Sequence, residues 1–509
     1  MKHLERTKNT IRNFIGGLIN KGATLLLPFL MRYVIVIYLG KEYLGLNNLF
    51  ASVLSVLNLA ELGIGAALVY SMYKPIAKDD RKAICSLLSL YKKIYRIIGL
   101  IVLVVGLAII PFLPFLIKDN VEVIDIKLLY LFFLADTVLS YLLFAYKNSL
   151  LMAHQRTDVS SNIGTIVNIA LNVTQLVLLI AFRNYYVFIM VKPAFTVINN
   201  LVINWATNKM YPDYKPNGIV AKQQRKEIME RVKALAGHKI GATVVTSADS
   251  FVISAFLGLD VLAIYSNYYY IAFFIISITA MFFSGMLAGI GNSLVTESQE
   301  KNYQLFKNVN FILSWIVSWC SVCLLCLFQP FMEAWMGEDM LLSNSSLLLI
   351  VLYYYSWQFR TTGLYFKDAA GLWQADFWKP YVSSLINIVL NIVLVNIIGI
   401  NGVFISTIIC MAVVNYPWET RVIFRDLFKR SSREYYLSEL QNFVKAIVMC
   451  AVTFSLCMLL PVQHGIWCIC FRFAICLIIP NLIFVLCSFK LKEFSYSIDK
   501  AKRLLTRKT

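Results

Sequence analysis

The stretch ILSWIVSWCSVCLLCLF, residues 312–328, contains no charged side chain and is typical of a membrane-spanning helix. A bilayer core of about 30 Å needs about 20 apolar helical residues to cross it. Similar runs recur along almost the whole 509-residue chain, which is 59% hydrophobic and 15% charged; soluble domains carry roughly 25% charged residues. The runs do not alternate between polar and apolar residues, as the strands of a membrane barrel would. We therefore expect an all-α integral membrane protein rather than a soluble protein with buried helices.

The apolar runs predict about fourteen transmembrane helices. Their expected ranges are 12–39, 43–70, 94–117, 128–150, 159–182, 186–208, 235–258, 261–290, 306–328, 346–366, 378–398, 402–424, 442–461 and 466–489.

Lysine and arginine are distributed unequally between the two sides that this count defines. The two tails and alternate loops carry 38 of the 47 basic residues, and the opposite side carries four. Because Lys/Arg-rich loops stay in the cytoplasm, both termini are expected to be cytoplasmic. The net charge of +19 then belongs mostly to one membrane surface, where anionic lipid headgroups are the natural partner. Basic residues dispersed over so many loops do not indicate nucleic-acid binding.

Recurring short motifs indicate that the chain contains two related halves. Each motif returns about 219 residues later: GAT at 22–24 and 241–243, Leu39-Gly40 and Leu257-Gly258, YKN at 146–148 and FKD at 366–368, NIALN at 168–172 and NIVLN at 387–391. The shared offset predicts two six-helix repeats around a central cavity, an N-lobe at 12–208 and a C-lobe at 235–424. Since each repeat has an even number of spans, the two are parallel, and transporters place their substrate between such repeats.

The remaining segments complete the predicted domain organisation. They are a cytoplasmic N-tail at 1–11, a basic linker at 209–234, a basic loop at 425–441, two further helices within 442–489, and a basic cytoplasmic tail at 490–509.

Five cations lie inside the predicted spans: Lys21, Arg32, Lys192, Arg360 and Arg472. A charge in mid-membrane costs about 2.5–3.5 kcal/mol, so it usually faces a cavity or a partner. Lys21 and Arg32 are eleven residues apart, close to three helical turns, and therefore share a face with Thr24 and Pro28. Pro28 should kink the helix. We expect Lys21, Arg32, Lys192 and Arg360 to bind an anionic substrate in the cavity; for Lys21 and Arg32, snorkelling to the nearer surface is the alternative.

Three acids within the spans are candidates for ion coupling or for pairing with these cations: Glu61, Asp136 and Asp249. Glu61 lies in AELGIGAAL, residues 60–68, where Gly63 and Gly65 favour close packing or local unwinding of the second helix. Pairing of Glu61 with Lys21 and binding of a coupling ion are both open.

Amides recur at helical spacing in the fifth and eleventh predicted helices: Asn168, Asn172 and Gln175, then Asn387 and Asn391. They could line a polar cavity and hydrogen-bond sugar hydroxyls. Equally, buried amides tie neighbouring membrane helices together.

Sequence motifs for enzyme chemistry are missing. There is no G-x-x-x-x-G-K-[ST], no H-E-x-x-H, and the four histidines are isolated. Cys320 and Cys323 form a C-x-x-C inside the opening stretch, without a second pair or a His cluster. The eleven cysteines are therefore expected to be small packing residues. We expect a non-enzyme without metal or cofactor, driven by an ion gradient, by the membrane potential or by a downhill substrate.

The sequence resembles the polysaccharide flippases, the Wzx-type branch of the multidrug/oligosaccharidyl-lipid/polysaccharide (MOP) exporter superfamily. The resemblance covers residues 12–424, about four-fifths of the chain. Its motifs are YLGKEYLGLNNLFASVLS at 38–55, AELGIGAALVYSMYKPIAKDD at 60–80, YKNSLLMAHQRTD at 146–158, FKDAAGLWQAD at 366–376 and the asparagine pairs.

The resemblance implies translocation of an undecaprenyl-diphosphate-linked oligosaccharide to the outer leaflet of a bacterial plasma membrane by alternating access. It also implies a glycan polymerase and glycosyltransferases of the same pathway as partners. A multidrug or lipid II exporter of the same fold is the nearest alternative. From other classes, a membrane glycan polymerase or ligase, or a scaffold for glycan assembly, remains open; the short outer loops argue against an enzyme that must bind an acceptor.

Overall fold

The computed structural model describes residues 22, 24, 26–61, 64–118, 125–284, 286–372 and 374–506, and these residues form helices joined by short turns. The chain divides into two compact units, Met1–Ala263 and Ile264–Thr509. The expectation of an all-α membrane protein is confirmed for the described residues, none of which lies in a strand. The predicted lobe boundaries stay a prediction.

The described residues of the first unit form nine helices and the start of a tenth. They are α1 (Leu26–Tyr38), α2 (Lys41–Leu57), α3 (Ile64–Ala77), α4 (Arg81–Ile109), α5 (Ile126–Leu142), α6 (Ala145–Ala153), α7 (Thr157–Phe182), α8 (Tyr185–Met210), α9 (Lys222–Phe256) and α10 (Leu259–Ser284). Two 3₁₀ segments extend them, Asn58–Glu61 after α2 and Ile110–Leu116 after α4.

The second unit contains the rest of α10 and ten further helices. They are α11 (Leu287–Thr296), α12 (Gln299–Met336), α13 (Asn344–Gln358), α14 (Thr361–Ala369), α15 (Lys379–Ile398), α16 (Ile400–Ile409), α17 (Tyr416–Val422), α18 (Arg433–Met458), α19 (Gly465–Ser488) and α20 (Lys492–Thr506). A 3₁₀ turn, Glu338–Met340, follows α12. Two π-helical segments, Cys410–Asn415 and Ile423–Leu427, flank α17.

Short polar side chains start several of these helices. Asp125, Asn184, Ser298 and Ser343 each accept a hydrogen bond from backbone N–H groups in the first turn of α5, α8, α12 and α13, respectively. Such caps satisfy donors that have no partner within the helix. They define where the apolar runs become helical after each loop.

Nine continuous helical stretches in the described part of the chain are long and apolar enough to cross a membrane, and the bent pair α5–α6 makes a tenth. Two shorter apolar helices are α1 and the segment Thr243–Phe256 of α9. Each of the fourteen predicted spans overlaps one of the described helices or a broken pair of them. The count of fourteen itself stays a prediction.

Several predicted spans are broken rather than continuous helices. The axes of α5 and α6 differ by 50°, and Phe144 at this break has a left-handed φ of 59°, an uncommon conformation for a bulky residue. The breaks between α2 and α3 and between α10 and α11 fall in the second span of each predicted repeat, and those at α5–α6 and α13–α14 fall in the fourth. The matching positions agree with an internal repeat.

The turn motif Leu-Gly that recurs in the sequence also has one structure. Gly40 and Gly258 end α1 and α9 with φ values of 109° and 100°, which glycine adopts without strain. In each case the glycine N–H donates to a carbonyl in the preceding helical turn, that of Ile35 or Ile253. The motif therefore marks equivalent helix ends.

Helices α18 and α19 pack against α12 and against each other. Phe311, Val322 and Cys326 of α12 share a buried core with Met449 and Cys457 of α18 and with Cys476 and Phe484 of α19. Trp319 adds a hydrogen bond from its indole N–H to the carbonyl of Cys476, at 2.8 Å. The helix pair that follows the predicted repeats is thus joined to the second unit by an apolar interface.

Candidate functional site

The most developed polar centre in the described residues is a chain of ion pairs inside the second unit, here called the ion cluster. It consists of Arg360, Lys367, Asp376, Lys379 and Glu419. Glu419 is bound by Arg360 at 2.6 Å and by Lys379 at 2.5 Å. Asp376 is bound by Lys379 at 2.8 Å and by Lys367 at 2.6 Å. Two carboxylates therefore alternate with three cations along one connected path.

Breaks in regular helix geometry position these side chains. Arg360 lies at the interruption between α13 and α14, and Lys367 follows in α14. Asp376 is in the turn before α15, and Lys379 is the first residue of α15. Glu419 is in α17, directly after a π-helical segment. Pro417 supplies no backbone N–H in this region, which explains why regular helix is interrupted here.

The ion cluster is buried, and its charges do not cancel. The side chains of Asp376 and Glu419 are 0% and 2% exposed, and that of Arg360 is 11% exposed. Three cations against two carboxylates leave one positive charge, and Asp368, 3.8 Å from Lys367 at the edge, is the next acid. Buried Asp376 Oδ1, Glu419 Oε2 and Arg360 Nε find no hydrogen-bond partner among the described residues. The cluster can therefore accept further hydrogen bonds or rearrange its pairs.

The charge state of Asp376, which lies in a turn outside the apolar spans, follows from its neighbours. Burial alone would raise the pKa of this carboxyl, but the charges and hydrogen bonds of Lys379 and Lys367 outweigh it and hold the pKa below its ordinary value. Asp376 is therefore ionised at neutral pH.

Lys192 in the first unit also has an acidic partner. Its ammonium group lies 3.3 Å from Asp136 of α5 and over the ring of Phe133 at 5.1 Å. The hydroxyl of Thr196 donates to the same carboxylate. Lys192, which was expected to bind substrate, and Asp136, a candidate for ion coupling or for pairing with a cation, thus form one pair.

Arg32 in α1 donates to the side-chain carbonyl of Asn48 in α2 at 3.0 Å, and its side chain is half-buried. Pro28 lies within α1, and Thr24 is exposed. Lys21 lies outside the described residues, so its predicted common face with Arg32 and its pairing with Glu61 stay predictions.

Glu61 ends the 3₁₀ segment Asn58–Glu61, at the break between α2 and α3. It interacts with the hydroxyl groups of Tyr95 and Tyr141, and Tyr141 also donates to Asn58 at 2.9 Å. Gly65 is in the first turn of α3, while Gly63 lies outside the described residues. The carboxylate is therefore held by tyrosines at an interruption of the helix.

Asp249, the third predicted coupling acid, is in α9 and is only 2% exposed. Its side chain is thus buried rather than presented to solvent.

The predicted cavity-lining amides mostly connect helices. Gln175 donates to the carbonyl of Phe188 in α8 at 3.0 Å. Asn387 donates to Thr407 of α16 at 3.0 Å, and Asn391 accepts a hydrogen bond from Ser406 of the same helix, with both asparagines fully buried. Of the two readings of these residues, the geometry supports the helix-tying one for this conformation.

The corresponding pair in α7 is arranged differently. Asn172 donates to the backbone and side-chain carbonyls of Asn168 at 2.7 and 2.9 Å, within one helix, and both residues are half-buried. These two hydrogen bonds therefore lie within α7 rather than between two helices.

Sequence analysis missed most of the ion cluster and two other buried charges. Lys367, Lys379 and Asp376 lie at predicted span ends, where they resemble loop charges. Lys147 is 3% exposed and donates to Asn208 at 2.6 Å; the YKN/FKD repeat that contains Lys147 and Lys367 was the available signal.

The other missed charge is Glu439 in α18. It is buried and accepts hydrogen bonds from the side chains of Asn310 and Asn442. No repeat or motif in the sequence marked it.

Comparison with known proteins identifies the fold. No family model matches the sequence, and no curated protein matches it. Among solved structures, the lipid II flippase MurJ in an inward closed conformation matches with a TM-score of 0.67 and 14% identity, over 94% of this chain and 98% of that chain. An inward-facing multidrug resistance MATE family transporter of the MOP superfamily matches with a TM-score of 0.62 and 15% identity, over 80% of this chain and 96% of that chain.

A MOP superfamily transporter from Pyrococcus furiosus, described as having a binding pocket of reversed polarity, matches with a TM-score of 0.55 and 15% identity, over 83% and 97% of the two chains. At these identities the matches show the fold alone. The chain has the fold of MOP superfamily transporters and is a multi-pass membrane protein.

Proposed function

From this transporter fold, we propose that the chain is a flippase. It moves an undecaprenyl-diphosphate-linked oligosaccharide repeat unit across the bacterial plasma membrane by alternating access, for surface polysaccharide biosynthesis. The termini lie in the cytoplasm, and an ion gradient drives the cycle through Glu61, Asp136 or Asp249.

The extent of the structural likeness is the observation that carries this proposal. The two predicted repeats make up about four-fifths of the chain, similar to the 80% that the MATE transporter covers. MurJ covers 94%, so its likeness extends beyond the repeats. A chain that shares more of its architecture with a lipid II flippase than with a multidrug transporter is better suited to a lipid-linked glycan than to a drug.

Cations among the helices suit the diphosphate of such a substrate. Arg32 is half-buried and donates to the side-chain carbonyl of Asn48, so its guanidinium is already directed toward oxygen acceptors. Lys192 is 37% exposed and bound to Asp136, so a diphosphate would compete with a carboxylate there. Arg360 is more deeply buried and bound to Glu419, so it would contribute only after the ion cluster rearranges.

Lipid II transport is the second candidate, because MurJ gives the match of greatest extent among those described above. Lipid II carries its glycan on the same undecaprenyl diphosphate, so the two candidates differ in the sugar portion. Glycan polymerases, ligases and scaffolds find no comparable support, since the structures that match are transporters.

Reconstitution tests the proposal directly. Purified protein in liposomes receives one of three fluorescent substrates: an undecaprenyl-diphosphate oligosaccharide, lipid II or an organic cation dye. We expect gradient-dependent flipping of the oligosaccharide lipid. Flipping of lipid II alone would favour the second candidate, and transport of the dye alone, or of none of the three, would overturn the proposal.

Variants of Arg32 then locate the anion site. Arg32→Gln should lower the rate at least tenfold, while Arg32→Lys should retain part of it because the charge remains. Lys222→Gln is the matched control, since Lys222 is an exposed cation at the start of α9. Equal rates for Arg32→Gln and the control would remove Arg32 from the site.

A further inference from the structure

Three cysteine sulfurs from three different helices meet inside the second unit. Cys326 of α12, Cys457 of α18 and Cys476 of α19 have their Sγ atoms within 4.8 Å of one another. All three residues are 0% exposed. Cys457 follows Cys326 by 131 positions and precedes Cys476 by 19, so no short sequence motif predicts the cluster.

Arg472 of α19 is a charged side chain beside the three thiols, and Met449 and Phe484 are apolar residues of the same core. Arg472 is 5% exposed, and its guanidinium donates to the carbonyl of Cys326 at 3.1 Å and to the side chain of Gln463. Its buried Nε has no hydrogen-bond partner among the described residues. A cation is thus held beside the three thiols without an acidic partner among the described ion pairs.

We propose that Cys326, Cys457 and Cys476 bind a thiophilic d¹⁰ metal ion, in the first place Zn²⁺. Thiolates are the ligands that zinc and Cu⁺ prefer over oxygen donors. With Zn–S bonds of about 2.3 Å, the sulfurs of a tetrahedral site lie about 3.8 Å apart. Sulfurs already within 4.8 Å reach this separation by small side-chain rotations.

The charge balance favours a divalent ion. Binding removes one proton from each of three thiols, so three thiolates and Zn²⁺ carry a charge of −1, and the guanidinium of Arg472 neutralises it. Cu⁺ with three thiolates would leave one negative charge more. An uncompensated charge in an apolar interior is costly. Buried Arg472 would therefore stabilise the metal-loaded site by neutralising its negative charge.

Cys323 supplies a further sulfur beside this site. It lies one helical turn before Cys326, packs against the same core and interacts with Cys476. Bound as a neutral thiol, it would fill the fourth position that zinc leaves open without changing the charge balance; a fourth thiolate would leave one negative charge uncompensated.

The site would fasten α18 and α19 to α12 within the second unit. Because the sulfurs are buried, the ion enters as these helices assemble. The metal is therefore structural, and its binding adds to the stability of the folded chain.

Metal analysis of the full chain tests the proposal. Protein produced in zinc-supplemented medium and purified under reducing conditions should contain about one zinc per chain by mass spectrometry. A parallel preparation is made in copper-supplemented medium. Zinc in the first preparation supports both the site and the charge argument. Copper in the second preparation with no zinc in the first supports a d¹⁰ metal site at the thiols but contradicts the charge argument. If neither preparation contains zinc or copper, the proposal is overturned.

Cysteine variants assign the ion to the cluster. Cys326→Ala and Cys476→Ala should lose the metal, whereas Cys470→Ala, an exposed cysteine on α19, should retain it. Retention in both cluster variants overturns the assignment.

A measurement on the unaltered protein covers the case in which the variants do not fold. When the purified protein is unfolded in denaturant, a chromogenic chelator should detect about one zinc ion released per chain, because the site exists only in the folded state. Release of no metal, or a disulfide within the cluster in place of metal, contradicts the proposal.

Discussion

Replacing Glu419 by glutamine should strongly destabilise the second unit. Glu419 neutralises Arg360 and Lys379 at 2.6 and 2.5 Å. At an effective dielectric constant of 20, a contact at this distance is worth about 6 kcal/mol of Coulomb attraction. Dehydration of the carboxylate offsets much of this, and removing one partner from a buried pair costs about 3–5 kcal/mol. Glu419→Gln therefore lowers the folded-to-unfolded ratio by roughly two to three and a half orders of magnitude.

The double variant separates charge imbalance from a loss of shape. Glu419→Gln raises the net charge of the ion cluster from +1 to +2, and Arg360→Gln on top of it returns the charge to +1. We expect the double variant to recover at least half of the lost stability, because the uncompensated buried cation is gone.

The assay is unfolding in detergent micelles, followed by tryptophan fluorescence during a denaturant titration, for the wild type and both variants. Glu297→Gln is the control, since it removes an exposed carboxylate that pairs with Lys301 at 2.8 Å on a helix surface and should leave the midpoint unchanged. If Glu419→Gln behaves like this control, or if the double variant is less stable than Glu419→Gln, the buried-charge reasoning is wrong.

Three further changes probe other contacts. Gly402→Ala should cost about 1–3 kcal/mol of stability, because the added Cβ would lie 2.4 Å from the backbone of Leu394 where α15 and α16 meet; an unchanged unfolding midpoint would contradict this close approach. Asp136→Leu should lower the free energy of unfolding by about 1–2 kcal/mol, because Lys192 in α8 loses its carboxylate; the 37% exposure of Lys192 moderates this loss. Adding Lys192→Met to Asp136→Leu should restore the folding yield, and a double variant without such rescue would argue against the pair. Because the pKa of Asp376 is lowered, its stabilising effect is present above about pH 3.8 and is lost only as pH falls through the lowered value. The stability difference between the wild type and Asp376→Asn should therefore stay constant from about pH 5 to pH 8, and a difference that shrinks within this range would refute the assignment.

The helices were predictable from the sequence because hydrophobicity acts locally. Runs such as 312–328 define helix α12 without knowledge of any contact, and the motif repeats indicated the duplicated core. The interruption between α5 and α6 was not predictable, because hydrophobicity continues through it: Leu142, Leu143 and Phe144 are as apolar as the helices on either side. Only the backbone geometry shows where such a span bends.

The ion partners escaped prediction for a different reason. Asp136 and Lys192 were both recognised as charges within spans, but their pairing depends on how α5 packs against α8. Glu419 lies inside the predicted range 402–424 and was passed over, since its partners are 40 and 59 positions away in the sequence. Long-range pairing follows from tertiary packing, which composition and spacing do not encode.

The π-helical segment Cys410–Asn415 has a consequence for how this part of the protein can evolve. An α-helix advances 3.6 residues per turn, so deleting one residue from an ordinary helix rotates everything beyond it by about 100°. A π segment already holds one residue more per turn than an α-helix. Deletion of Val413, whose side chain is 66% exposed, would convert the segment to regular helix at little packing cost. The same deletion would leave Glu419 facing its two cations, whereas the loss of one residue from the regular helical turn after the segment would rotate Glu419 away from them. This part of the chain can therefore lose a residue in the π segment without breaking the ion cluster.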